Sequence, residues 1–278
     1  MEPPPVKACL FDMDGLLLNT EDLITVCINI ILRKYGKQDL PWSLKARIQG
    51  RSAEASDEIL QDWAQMHIDK DEYKRQQKDL HDRIFPTSEP LPGVVELLRR
   101  LDSTSGVSLA LATSSTQAIF KTKTAGCRSL FDCFPHDCQV LGDDPRVEHH
   151  KPAPDIYLQA LACVNDRRET VDGQDSVTAA ECLVLEDSIQ GVDAGKRAGM
   201  QVLWVPHRGL LHELLQGDIA NDDVRKHFQE VFGLDPKMPI RGLEIEALED
   251  HIQEATFGWI RMLTSLEQFP YAQYGLSN

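Results

Sequence analysis

Four short apolar runs punctuate the chain, at residues 6–11, 107–112, 182–185 and 201–205. They lack the strict alternation of a half-exposed strand and are too short for a stable helix, so they predict strands buried on both faces. Between them the apolar spacing changes to one that marks a single helix face, as at 93–101 and again at 155–164 after Pro152 and Pro154. Strand alternating with helix predicts an α/β fold built on a parallel sheet with helices on both sides.

Residues 22–85 break that rhythm, with helical patterns at 22–35, 53–67 and 70–85 and no strand among them. Gly15 lies just upstream, and Pro86, Pro90, Pro92 and Gly93 lie just downstream, so turn chemistry frames the segment as a helical insert. The expected organisation is a core made of 1–16 and 90–278, interrupted by a helical cap at 17–89. Beyond Pro206 no further strand is predicted. Acidic helical segments at 213–232 and 244–263, separated by Pro236 and Pro239, suggest an elaboration over about 211–258. Its apolar positions, such as Leu243, Leu248, Ile252 and Trp259, are expected to pack on the core or on a second copy of the chain.

Charge narrows the function. With 29 Lys and Arg against 44 Asp and Glu, the net charge is −15, which disfavours a nucleic-acid partner. No run approaches the roughly 18 to 20 apolar residues of a membrane helix, and Met1-Glu2-Pro3-Pro4-Pro5 does not open like a secretory signal. A cytoplasmic protein without a membrane partner is expected. The cysteines at 9, 27, 127, 133, 138, 163 and 182 are odd in number and several sit inside apolar runs, which suits reduced thiols. Cys133, His136 and Cys138 lack a second ligand pair at zinc spacing.

The ends of the strands carry the chemistry. The first run finishes in Asp12-Met13-Asp14-Gly15, the second in Thr113-Ser114-Ser115 and the third in Glu186-Asp187-Ser188. In open α/β sheets ligands bind at that edge. Four carboxylates (Asp12, Asp14, Glu186, Asp187) gathered there repel one another unless a cation intervenes, and an all-oxygen donor set is the chemistry of Mg²⁺. Such a metal, with a hydroxyl donor and Lys151 from the rigid Lys151-Pro152-Ala153-Pro154 turn, suits a phosphoryl group. A carboxylate is a competent nucleophile for such a group, and a second carboxylate two residues on can shuttle the proton.

Asp12-x-Asp14-Gly15, Thr113, Lys151-Pro-x-Pro-Asp155 and Glu186-Asp187, in that order, resemble the four motifs of the haloacid-dehalogenase-type phosphatases over roughly residues 6–206. Phe11 to Glu21, Leu109 to Ser115, Leu141 to Asp144 with Lys151 to Ile156, and Gly199 to Pro206 are most similar to the pseudouridine-phosphatase branch. The resemblance implies a Rossmann-like core with an inserted cap and an Mg²⁺-dependent phosphatase acting through an aspartyl-phosphate. The implied substrate is a small phosphorylated metabolite, a pseudouridine 5′-phosphate-like nucleotide or a sugar or polyol phosphate, and the implied state is a monomer or weak homo-oligomer.

By the same resemblance Asp12 is nucleophile and metal ligand, while Asp14 is the general acid/base and lends its carbonyl to the metal. Thr113 and the Ser114 amide hold phosphoryl oxygens and Lys151 neutralises them. Asp187 completes the metal site, with Glu186 as a direct or water-mediated ligand. Arg51, between two cap helices, resembles the cap loop that faces the active site and is a candidate for substrate binding. Asn19 stands where the family usually has Asp.

Two rivals share these motifs. A phosphomutase of the β-phosphoglucomutase type carries a His where this chain has Ile24, which favours hydrolysis here; a catalytically silent binding protein of the same fold would not need every catalytic position filled. Other motifs fall short. Gly191-Val-Asp-Ala-Gly195-Lys196-Arg197 has the wrong spacing for a phosphate loop and reads as a close helix contact, and His212-Glu213 lacks the second histidine of a zinc-protease helix, with Gln216 in its place. His149 and His150, next to Lys151, read mainly as solvated loop residues.

Overall fold

The computed structural model describes residues 2–66, 68–217 and 222–276. Positions 1, 67, 218–221, 277 and 278 lie outside them, including the predicted helix end at 67 and the middle of the predicted segment 213–232. At the centre is β1 (Ala8–Phe11), followed by an insertion of four helices, α1 (Thr20–Lys34), α2 (Trp42–Ile48), α3 (Ala53–Ala64) and α4 (Lys70–Ile84). The chain then alternates through α5 (Val94–Asp102), β2 (Ser108–Ala112), α6 (Gln117–Lys123), β3 (Gln139–Val140), α7 (Asp155–Arg167), β4 (Cys182–Glu186), α8 (Ile189–Arg197) and β5 (Gln201–Trp204). Three helices, α9 (Arg208–Gln216), α10 (Asp222–Phe232) and α11 (Ile245–Ala255), precede a last strand, β6 (Ile260–Met262).

The strands form one Rossmann-like parallel sheet in the order β3-β2-β1-β4-β5-β6. Ala8 to Phe11 pair residue for residue with Ser108 to Leu111 on one side and Cys182 to Leu185 on the other. Continuous apolar runs are needed because alternate residues feed two different cores. Ala8 and Leu10, with Val184, Val202 and Trp204, face one layer; Cys9 and Phe11, with Leu183, Leu185 and Leu203, face the other.

The insertion has its own cluster of buried hydrophobics, from Ile28, Ile31 and Leu32 to Leu60 and Tyr73. Its two ends lie side by side: Leu91 N–H donates to the Leu17 carbonyl at 3.0 Å and Asn19 N–H to the Glu89 carbonyl at 3.0 Å. The Asn19 side chain accepts from Glu89 N–H at 2.9 Å. A neutral amide therefore ties the entry to the exit of the insertion.

Four elements depart from expectation, one of them α6, which lies where no helix was predicted. The predicted helical segment 244–263 ends early, with α11 stopping at Ala255 and β6 taking the strand conformation, since three residues with Arg261 in the middle carry no strand signature and are defined by pairing with β5. β3, two residues long, escaped notice for the same reason. α2, behind Pro41, filled a stretch that the periodicity had left without an element. The helices after β5 do pack on the core: Trp204 meets Phe228 and Phe232 of α10 with ring centroids 5.6 and 4.7 Å apart, and Leu248 and Ile252 of α11 join the same buried layer.

Candidate active site

At the carboxyl edge of the central strands, the ladder runs one residue past β1, because Asp12 N–H donates to the Leu185 carbonyl at 3.1 Å. The Asp12 side chain is buried and accepts from Lys151 Nζ at 2.7 Å. The same ammonium donates to Glu186 Oε1 at 2.6 Å and to the Ala112 carbonyl at 3.3 Å. One lysine thus joins the ends of β1, β2 and β4.

Glu186 is fully enclosed. Its Oε1 also accepts from Tyr157 Oη at 2.9 Å, and its Oε2 accepts from Asp187 N–H, Ser188 N–H and Ser188 Oγ at 2.9 to 3.0 Å. Gly191 makes room for it: a Cβ there would lie 1.7 Å from Glu186 Oε1. That glycine serves the carboxylate, whereas Gly195 gives the close helix contact, with Val184 and Val202 3.0 to 3.3 Å from its would-be Cβ. Asp187 is held by its backbone, whose carbonyl accepts from Trp204 Nε1 at 2.9 Å.

Carboxylate oxygens of Asp12, Glu186 and Asp187 lie within 4.8 Å of one another, the one such potential metal group among the described residues. Burial, reinforced by Glu186 and Asp14, pushes Asp12 up to about 8 despite the lysine beside it. Burial, with Glu186, Glu21 and Asp12 adjacent, also carries Asp187 well above the carboxylate range. Burial opposes the charge on Lys151, but Asp12 and Glu186 outweigh it and keep that ammonium far above the usual lysine value. With all three buried carboxylates ionised, one cation leaves negative charge uncompensated, and these oxygens fit a hard divalent ion.

Asp14 occupies a different environment. Its Oδ1 accepts from Thr20 Oγ1 and from Lys123 Nζ at 2.6 Å, and its Oδ2 accepts from Ser115 Oγ at 2.8 Å. Burial alone would raise its pKa, yet Lys123 and these hydrogen bonds lower it. Gly15 follows at φ +80°, and a Cβ there would lie 2.1 Å from Asp187 Oδ2, so the turn brings backbone against the carboxylate cluster.

Thr113 is buried, its N–H on the Val140 carbonyl at 3.1 Å and its Oγ1 accepting from Ser115 N–H at 3.1 Å. Ser114 follows against Gly142, where a Cβ would lie 2.1 Å from the Ser114 carbonyl oxygen.

From the insertion side, Gln49 Nε2 donates to Asp187 Oδ2 at 2.5 Å. Lys45 of α2 is buried against Glu21 at 3.0 Å, and Gly50, at φ +77°, would place a Cβ 2.3 Å from Ser188 Oγ. Arg51 turns back instead, its Nε donating to the Arg47 carbonyl at 2.7 Å. His149 is exposed and pairs with Asp155 at 3.2 Å.

The edge therefore gathers Asp12, Lys151, Glu186 and Asp187, with Asp14, Thr113 and Ser114 on the adjoining loops, and leaves Arg51 turned back onto the end of α2 from the loop that follows it. Sequence reasoning missed Gln49, Lys123, Thr20 and Tyr157, and named Ser115 at its strand end without its contact to Asp14. Lys123 meets Asp14 across 109 positions and Gln49 meets Asp187 across 138, and no local motif announces contacts of that range. Thr20 alone carried a signal, as a hydroxyl six residues after Asp14 at the start of a helix.

The sequence profile of the haloacid dehalogenase-like hydrolases matches residues 9–205, and this chain belongs to that family. Among curated relatives, the probable pseudouridine-5′-phosphatase of Saccharomyces cerevisiae is 40% identical over 208 residues, covering 74% of this chain and 84% of that one. (DL)-Glycerol-3-phosphatase 2 of Arabidopsis thaliana is 36% identical over 217 residues, covering 77% and 82%. The crystal structure of CbbY from Rhodobacter sphaeroides, solved with phosphate, superposes with a TM-score of 0.63 at 20% identity, over 98% of this chain and all of that one. The protein is accordingly an enzyme, a hydrolase of the phosphatase type within that family.

Proposed function

We propose that this enzyme is an Mg²⁺-dependent phosphomonoesterase that acts through an aspartyl-phosphate on Asp12, with a polyol, sugar or pseudouridine-type nucleotide phosphate as substrate. The observation that carries the reading is the Lys151–Asp12–Glu186–Asp187 cluster, in which one buried cation pairs with two of three buried carboxylates. Relatives whose names specify glycerol 3-phosphate and pseudouridine 5′-phosphate hydrolysis support the substrate classes.

Asp12, Asp187 and the Asp14 carbonyl would hold the metal, which supplies charge neutralisation for a phosphoryl group when bound. Glu186 has both oxygens engaged by five donors, so its part is to orient Lys151 and to reach the ion through water. Asp12 attacks phosphorus and the ester bond to the alcohol breaks. Lys151, already on Asp12, with the Thr113 hydroxyl and the Ser114 amide, offsets charge on the phosphoryl oxygens. Asp14 gives a proton to the departing alcohol and later takes one from the water that cleaves the acyl phosphate. For Asp14 to act as acid its carboxyl must leave the Lys123 pairing, which links proton transfer to movement in the 13–19 turn.

We place Arg51 on the substrate side only when its loop rearranges over a bound ester, and the enzyme itself in a reducing compartment such as the cytoplasm, a location supported by seven free thiols. Phosphate release from a panel of phosphorylated polyols, sugars and nucleosides, with and without Mg²⁺, tests the reading. Turnover that disappears with EDTA and returns with Mg²⁺ is expected; full turnover in EDTA, or none on any ester with Mg²⁺, contradicts it.

A further inference from the structure

The short helix α2 is shared between two cores. Leu44 and Ile48 belong to the insertion's own cluster, whereas Ala46 lies in the layer that β1, β4 and the helices after β5 build, and Trp42 packs against that same layer. The surface that receives Trp42 is the start of α9. His207, the residue before that helix, stacks on the indole with ring centroids 4.6 Å apart and planes 19° from parallel. Its Nδ1 accepts from Gly209 N–H at 3.0 Å, which leaves Nε2 to carry the hydrogen toward Asp22 Oδ1 of α1 at 3.2 Å. One core residue thereby holds two helices of the insertion.

Gly209 completes the seat, since a Cβ there would lie 2.0 Å from Trp42 Cε2 and 2.3 Å from its Nε1. A glycine inside a helix costs stability relative to alanine, and the space it leaves here is taken by the indole. α9 does not need this contact for its own burial, because Leu210, Leu211, Leu214 and Leu215 already face the core.

The carboxyl edge is shut in this arrangement. Asp12, Lys151 and Asp187 are 5%, 4% and 2% exposed, with Gln49 on Asp187 and Gly50 against Ser188. The chain joins insertion to core at 17–19 and 89–91, where the two ends lie side by side, so side-chain contacts hold down the rest of the insertion. We infer that the seat of Trp42 on α9 is a latch: docking of the indole on His207 and in the Gly209 slot keeps the insertion closed over the carboxylate cluster, and its release opens that edge to a ligand. α9 thus governs access to the site without contributing a group to it.

Gly209→Ala is the sharpest wedge, because alanine is the better helix former and its methyl group occupies the place of the indole while α9 stays intact. Small-angle X-ray scattering of the full chain without ligand reads closure. The wild type is expected at a radius of gyration of about 19 Å, the value for a compact chain of this length, and Gly209→Ala above the wild type, with its far-UV circular dichroism unchanged. Trp42→Ala should expand the protein as well, and the double variant no further than Trp42→Ala alone, since the wedge then has nothing to expel. Hydrogen exchange separates undocking from unfolding. In Gly209→Ala the amides of α2 should exchange about tenfold faster or more, as befits a short helix that has lost its packing, while those of α3 and α4 keep their wild-type rates. A Gly209→Ala protein that keeps the wild-type radius of gyration overturns the latch. So does a double variant more expanded than Trp42→Ala, or exchange that rises throughout the insertion, because the alanine then acts on something other than the seat.

Discussion

Asp12 and Asp14 sit two residues apart in opposite surroundings. Asp12 continues a strand, is clamped by Lys151, and shares its space with Glu186 and Asp187, so that burial and like charge push its pKa up to about 8. Asp14 lies beyond the strand, at the start of the turn that leads into the insertion, and Lys123, Thr20 and Ser115 lower its pKa against the effect of burial. One carboxylate is fixed by the sheet and shares its cation, Lys151, with Glu186. The other, on the loop that leads into the insertion, pairs with Lys123. The division of labour proposed between nucleophile and proton carrier thus follows the element each residue belongs to.

The largest expected effect comes from Asp12→Asn, whose amide is a poor nucleophile and should abolish turnover in a steady-state assay with Mg²⁺. Asp14→Asn should lose about 10² to 10⁴-fold in kcat, the usual share of general acid/base catalysis, and should lose least on para-nitrophenyl phosphate, whose leaving group needs little protonation. If both variants fell equally on every ester, the contrast drawn between the two residues would collapse.

The core side of this comparison was legible in the sequence, and the insertion side only in outline. Asp12, Glu186 and Asp187 sit at or next to strand ends, where an apolar run finishing in an acid is visible without a structure, and Lys151 stands out in its proline-framed turn before α7. Parallel-sheet topology then brings such ends together. The partners of Asp14 and Asp187 are set by helix packing across more than 100 positions, so no local pattern singles out Lys123 or Gln49. Arg51 drew notice as the charged member of its loop, whereas the neutral Gln49 two positions earlier is the one that reaches the carboxylates.

Lys123→Met sharpens the comparison by leaving Asp14 without its cation. Since the pairing lowers the Asp14 pKa, its removal should move the limb of the pH–kcat/KM profile that reports Asp14 ionisation to higher pH. Lys123→Arg should restore part of the shift, and an unmoved limb would show that Lys123 does not set the charge of Asp14.

Away from the edge, Phe228→Ala removes a ring packed on Trp204 and should cost about 3 to 5 kcal/mol of stability. At a temperature where the variant is folded, activity per folded molecule should remain near wild type. A metal-dependent defect in the folded variant would tie α10 to the catalytic edge.

The smallest effect is expected from His81, stacked on Phe85 at 4.2 Å at the end of the insertion. Burial, with Lys123 nearby, lowers its pKa from 6.5 to about 4. The unfolded chain therefore binds the proton more readily, and stability present above about 6.5 is lost as pH falls toward 4. Denaturant titrations of wild type and His81→Leu across that window should show the wild type losing more stability on acidification, and parallel curves would remove His81 from the account.

The central claim is that Asp12 carries the phosphoryl group. Intact-protein mass spectrometry, after mixing each variant with para-nitrophenyl phosphate and Mg²⁺ and quenching in acid, tests it directly. Asp14→Asn should gain one phosphoryl group, because it can be phosphorylated by a substrate with a good leaving group and then lacks the base that activates water, while Asp12→Asn should gain none. A labelled Asp12→Asn protein, or one that keeps near-normal turnover, would contradict the assignment and move the nucleophile to another residue.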